Sequence, residues 1–161
     1  MTDPFILILR DPRESAKKCS LTPLRGLPGI EFVPYYKGHN VNAEGRILLD
    51  PDGAEFTPAD RGKQLFLIDC SWRRLPQLNE VVEGQLERRR LPALVTAYPR
   101  VSRIFQDPDA GLASVEALFA ATVMLGAPRL DLLDAYHWRN AFLQANAELL
   151  GEYGFDLNAP R

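Results

Sequence analysis

Apolar positions fall into two distinct patterns along the chain. In the first half they come as short unbroken blocks: Phe5–Leu9, Arg46–Leu49 (headed by its arginine) and Leu65–Ile68. Blocks of three to five apolar residues bounded by turn formers are too short for helices and predict strands buried on both faces. Gly29–Tyr36 offers a further short strand. The blocks have chemical stops. Arg10-Asp11-Pro12 ends the first, because the residue before proline is pushed out of helical geometry. Asp50-Pro51-Asp52-Gly53 ends the second with strong turn residues. Between them, 13–29 reads as a loop with one helical turn, and Lys37–Glu44 as a hairpin or loop.

Helical spacing takes over later. Thr57-Pro58-Ala59-Asp60 carries a helix start, with an N-cap threonine, a pre-organised proline and an aspartate placed to close the box. Leu78, Val81, Val82 and Leu86 recur at three- and four-residue intervals and predict a helix over Leu75–Arg90. Leu91–Pro99 fits a strand or a helix start equally. Leu112–Leu125 is apolar almost all round and stops at Gly126 and Pro128, which predicts a buried helix with a glycine C-cap. A second helix is expected over Asp131–Tyr153, its apolar face built by Leu132, Leu133, Tyr136, Phe142, Leu149 and Leu150. The expectation is an α/β amino-terminal domain over 1–90 and a mainly helical carboxyl-terminal domain over 91–161.

The 161 residues suffice for a real core, and 46% apolar with 25% charged residues is ordinary globular composition. No apolar run approaches the roughly 18 residues of a membrane span. The start, MTDPFILILRDP, lacks a basic lead and a cleavage site, so a cytoplasmic location is expected and no membrane partner. Cys19 and Cys70 have no CxxC partner and read as free thiols. With only His39 and His137 besides, no metal site is expected. The formal charge of −2 argues against blanket nucleic-acid binding. Local clustering matters more, however: Arg73 and Arg74, the run Arg88, Arg89 and Arg90, and then Arg100 and Arg103 surround the middle of the chain. Each arginine also reads simply as part of a solvated face.

The stretch with the most chemistry is Gln64–Trp72, QLFLIDCSW. Its apolar run delivers Asp69, Cys70, Ser71 and Trp72 to the carboxyl end of a strand, where ligands of open α/β sheets sit. The plainer reading has Asp69 and Ser71 capping the next element and Trp72 filling core.

IDCSW after an apolar strand is followed by LPALVTAYP, ASVEALFAA and HWRNAFLQANAELLGEY, and preceded by DPRESAKKCS and by ILLDPDG with TPAD. In that order these segments resemble the ribosome-biogenesis aminocarboxypropyltransferases, which modify a uridine-derived base in small-subunit ribosomal RNA. The resemblance covers nearly the whole chain. It implies a SPOUT-like, knotted α/β fold; backbone knots are rare exceptions and periodicity cannot reveal one. It implies S-adenosylmethionine as cofactor, RNA as partner, and transfer of the 3-amino-3-carboxypropyl group with release of methylthioadenosine; a monomer is expected. Methyl transfer from the same cofactor, a non-catalytic RNA- or ribosome-assembly role, and a small-molecule or protein acceptor are the alternatives.

The resemblance also assigns residues. Trp72, Leu49 and Pro51, with Asp50 between them, lie near the bound cofactor. Main-chain groups around Ile68 and Leu91 hold ribose and adenine, and Ser20 and Ser114 occupy hydroxyl positions. Asp69 is the catalytic candidate, as general base for the ring nitrogen, as electrostatic partner of the cofactor, or as a hydrogen-bonding residue with no catalytic role. Lys17, Lys18 and the arginines named above are the RNA-binding candidates. Two departures from the family pattern stand near the cofactor positions: Tyr98 replaces an amide, and Asp50 replaces a small hydroxyl.

Overall fold

The computed structural model describes residues 4–13, 20–99 and 111–159. The chain divides into two compact units, one of 1–56 with 62–90 and the other of 57–61 with 91–161.

In the first unit the apolar blocks form strands. They are β1 (Ile6–Arg10), β2 (Ile30–Pro34), β3 (Val41–Asn42), β4 (Ile47–Glu55), β5 (Leu65–Asp69), β6 (Val82–Glu83) and β7 (Glu87–Arg90). Five make one sheet in the order β2-β1-β5-β4-β7, every neighbour parallel. β3 pairs with β6, also in parallel. All of β1 is buried, as its unbroken apolar sequence requires. Leu7, Leu9, Leu48 and Phe66 share one face with Ala43, Leu78 and Val81, and Ile68 and Cys70 pack against that cluster. Cys70 therefore behaves as a small hydrophobe.

Three expectations are corrected here. The segment Leu75–Arg90 is not one helix. A single turn Trp72–Arg74 and α1 (Leu75–Asn79) are followed by β6 and β7. Gly84, with φ of +99°, breaks the helical pattern. The arginine run thus forms a charged edge strand, a common protection against edge-to-edge pairing. The Asp50–Gly53 turn does not end its strand either. β4 pairs with β7 through Leu49, bulges, and resumes at Ala54, so that Arg89 faces both residues. The Asp50 carboxylate accepts the Asp52 N–H at 2.9 Å inside the bulge. At Gly53 an added Cβ would meet the Arg88 and Arg89 backbone at 2.7 Å, so only glycine fits. Finally, of the two readings of Lys37–Glu44, hairpin or loop, the hairpin is excluded, because β3 runs parallel to its partner.

In the second unit, Thr57 and Asp60 close the anticipated box around a single turn, Pro58–Asp60: the Thr57 N–H donates to Asp60 at 3.0 Å. α2 (Ser114–Met124) lies within the expected buried helix. It ends in paired bonds from Gly126 N–H to Val123 and from Ala127 N–H to Thr122, both 3.0 Å, with Gly126 at φ +78°. Leu91–Pro99 is neither strand nor helix. The expected helix over Asp131–Tyr153 is broken into a turn at Leu130–Leu133, α3 (Arg139–Ala145) and α4 (Ala147–Glu152). The break between the last two falls on Asn146, whose buried amide bonds both Val95 of the 91–99 segment and the Phe142 carbonyl of α3.

Candidate functional site

Parallel register explains what gathers at the carboxyl end of the first unit's sheet. Arg10 stands directly opposite Asp69 on one side and Pro34 on the other. Register partners project to the same face, so the two charges meet: Arg10 Nε donates to Asp69 Oδ2 at 3.0 Å. The side chains are only 8% and 11% exposed. Arg10 Nη2 also donates to the Thr22 hydroxyl at 3.2 Å, and its guanidinium lies 4.9 Å from the Phe32 ring centre. One residue on, the fully buried Asp11 carboxylate pairs with Arg74 and accepts the Arg13 N–H at 3.1 Å. Its own N–H donates to the Asp69 carbonyl at 2.9 Å. Arg74 in turn lies 5.8 Å from the Tyr35 ring. Two ion pairs thus lock the ends of β1 and β5 and the turn beyond.

Beside this lock, the Trp72 indole is 76% exposed. That overturns core filling as its role and leaves a flat apolar face at a strand end, with the Arg73 guanidinium 5.5 Å from the ring centre. No carboxylate among the described residues pairs with Arg73. Ile68 is half-buried on β5. Leu49 and Asp50, at the bulge of β4, are half-buried and Pro51 is exposed. Asp50 accepts from Arg88 at 2.9 Å. Arg89 pairs with Glu87 at 3.1 Å and Arg90 with Glu55 at 3.0 Å, so each arginine of the run already has a carboxylate. Ser20 is half-buried near the turn Thr22–Leu24. Lys17, Lys18, Arg100 and Arg103 lie outside the described residues.

The second unit has its own polar centre. Leu91 is half-buried in the irregular 91–99 segment, and Ser114 opens α2. Glu116, fully buried, accepts from the Thr96 hydroxyl at 2.6 Å, the Ala113 N–H at 2.8 Å, the Ala97 N–H at 2.9 Å and the Tyr136 hydroxyl at 3.1 Å. A buried carboxylate survives only when it is satisfied in this way. Burial first, and then the adjacent Glu116 charge, push the Tyr136 phenol well above its ordinary range. Asn146 completes the scaffold, donating to Val95 O at 2.8 Å and accepting from Val95 N–H at 2.7 Å. Tyr98, at the replaced amide position, packs edge-on against Trp138 at 5.0 Å.

The sequence singles out Asp69 and Trp72 as candidates but not Arg10, Asp11 and Glu116, which the structure adds to these polar centres. Arg10 and Asp11 read only as a strand stop, and their partners lie 59 and 63 residues away. Glu116 did leave a signal. A single carboxylate inside an otherwise apolar helix has to be paired with donors.

Residues 47–158 match the family described as "Ribosome biogenesis protein, C-terminal". A 16S rRNA aminocarboxypropyltransferase of Vulcanisaeta distributa is 30% identical over 158 residues, covering 93% of this chain and 82% of that protein. One from Halobacterium salinarum is 33% identical, covering 87% and 81%. An 18S rRNA aminocarboxypropyltransferase of Saccharomyces cerevisiae is 31% identical over 85% of this chain, which spans only 43% of that longer protein. The solved structure of the SAM-dependent rRNA:acp-transferase Tsr3 from Vulcanisaeta distributa aligns with a TM-score of 0.70 at 29% identity, covering 94% of this chain and 83% of that one. The mixed α/β architecture with its parallel sheet matches that structure.

Proposed function

This chain belongs to the ribosome-biogenesis family that its residues 47–158 match, and from that premise we propose that it transfers the 3-amino-3-carboxypropyl group of S-adenosylmethionine to a uridine-type base of small-subunit ribosomal RNA. The observation that carries the reading is the exposed Trp72 indole at the end of β5, in a chain so similar to proteins named for this reaction. When bound, S-adenosylmethionine supplies three electrophilic carbons around one sulfonium, and methylthioadenosine leaves when the aminocarboxypropyl arm is the one transferred.

The residues at the strand end fit such a group. Trp72 offers an aromatic face for a purine or a cation. Leu49 and Pro51 add apolar surface at the β4 bulge, and main-chain groups at Ile68 lie on the adjoining strand. Ser20, Asp50, Leu91 and Ser114 are carried as cofactor positions on the resemblance alone. Product choice then becomes a matter of which carbon the site leaves open to the acceptor. Correct alignment of reactants is worth about 7–11 kcal/mol of barrier.

Asp69 is engaged by Arg10, so accepting a proton from the base would require it to share that guanidinium. Its proposed role is accordingly positioning: it holds the ends of β5 and β1 together and so fixes the main chain leading to Trp72. An Asp69→Asn variant with normal cofactor affinity but turnover slowed about 10²-fold or more would restore the general-base reading. RNA contacts are assigned to Arg73, Arg74 and the run Arg88–Arg90, with Lys17, Lys18, Arg100 and Arg103 expected to join them. The paired arginines must exchange a carboxylate for a phosphate. The proposal includes the knotted, SPOUT-like backbone with a mainly helical domain over 91–161 after an α/β domain over 1–90, and a monomer acting in the cytoplasm. No helix among the described residues is long and apolar enough to cross a membrane.

Calorimetric titration with S-adenosylmethionine tests the assignment. Wild type is expected to bind, and Trp72→Ala to bind about five- to 150-fold more weakly, the roughly 1–3 kcal/mol of one base–aromatic stack. Equal affinities would remove Trp72 from the site. No binding by wild type, beside salt-sensitive RNA binding, would establish the non-catalytic assembly role instead.

A further inference from the structure

We propose that the recess at the carboxyl ends of β1 and β2, walled by Arg10, Pro12, Arg25, Phe32, Pro34 and Tyr36, binds one nucleotide of single-stranded RNA. It rests on the RNA substrate proposed above and adds a subsite to it, on the β2 side of β1 rather than the β5 side where Trp72 stands.

The walls define the ligand. Two guanidinium groups approach the same ring, with Arg10 4.9 Å and Arg25 5.0 Å from the Phe32 centre. No carboxylate among the described residues lines the recess. Arg10 is committed to Asp69 and Thr22 and supplies a fixed wall. Arg25 is exposed, and no carboxylate among the described residues pairs with it. An exposed arginine beside an aromatic face suits a phosphate oxygen. Tyr36, 56% exposed, stands at the rim with His39 edge-on at 5.9 Å, which gives a stacking platform for a base. The recess encloses about 220 Å³, below the range of pockets that hold drug-sized ligands, which limits the occupant to about one nucleotide. A cation and a ring on a groove of this size form the combination by which proteins hold single strands.

The test is fluorescence anisotropy of a labelled short oligouridylate with the full chain at several salt concentrations, competed by uridine monophosphate and by inorganic phosphate. Arg25→Gln is expected to weaken binding several-fold and to lower the salt slope by about 0.7, the value of one single-strand phosphate. Tyr36→Ala is expected to weaken it at least about fivefold with the slope unchanged, as loss of one stack would. Both side chains are exposed, and S-adenosylmethionine affinity is expected to stay at the wild-type value in both variants. Wild-type affinity and slope in the two variants would overturn the inference, as would absence of oligonucleotide binding by wild type. Inorganic phosphate competing as well as the nucleotide would overturn it in favour of a plain anion site. Arg25-dependent RNA binding without any group transfer would leave this inference standing and remove the proposed reaction. Transfer that proceeds with both variants indifferent to RNA would do the reverse.

Discussion

Replacing Arg10 with methionine tests whether the strand-end lock is what shapes this molecule. The change deletes the 3.0 Å bond to Asp69 and the 3.2 Å bond to Thr22, and leaves a carboxylate that is only 11% exposed without its guanidinium. Removing one partner of a buried pair costs about 3–5 kcal/mol. Lost attraction to the Phe32 face adds about 0.5–1 kcal/mol, while methionine refills part of the space and the residual exposure softens the penalty. The expected cost is therefore about 3 kcal/mol. At a urea slope of about 2 kcal/mol per molar, the midpoint drops by about 1.5 M. Urea melts followed by circular dichroism and by tryptophan fluorescence give the number. The pair's own coupling comes from the cycle completed by Asp69→Leu and the double variant. Since the double variant buries no unpaired charge, it should recover more than half of the loss. A single variant within about 1 kcal/mol of wild type, or a double variant as unstable as the two singles summed, would refute the reasoning.

In the second unit, Asn146→Ala strips the Val95 N–H and carbonyl of the side-chain amide that bonds both, at about 1–3 kcal/mol for the orphaned groups. Hydrogen exchange at the Val95 amide should accelerate by roughly one to two orders of magnitude, and unchanged protection would contradict the anchor. Tyr136 gives a pH signature. Its folded pKa lies above the unfolded value of about 10, so the stability that its protonated phenol contributes is fully present below that pH and is lost as pH rises beyond it. Melts in that alkaline window should fall more steeply for wild type than for Tyr136→Phe; parallel curves would contradict the Glu116 arrangement.

What was legible in the chain follows from how locally each feature is encoded. Leu65–Ile68 announced the middle strand of the sheet because burial on both faces needs an unbroken apolar run. Asp69 and Trp72 followed from it by position. Gly126 marked its helix end because its positive φ is close to a glycine monopoly. Glu87–Arg90 concealed a strand, since an edge partner of β4 draws its stability from backbone pairing and from ions rather than from an alternating pattern. Asp50–Gly53 has the residues of a turn and makes one, but only β7 decides that the strand continues after it. Asn146 looks like any polar helix residue until Val95 stands beside it. The pairing of Arg10 with Asp69 belongs to strand register, which no local window contains.

The most direct measurement identifies the by-product. The full chain, incubated with S-adenosylmethionine and small-subunit ribosomal RNA, is expected to release methylthioadenosine and to add an aminocarboxypropyl mass to one uridine-type nucleotide. Release of S-adenosylhomocysteine with a methylated RNA would contradict the account.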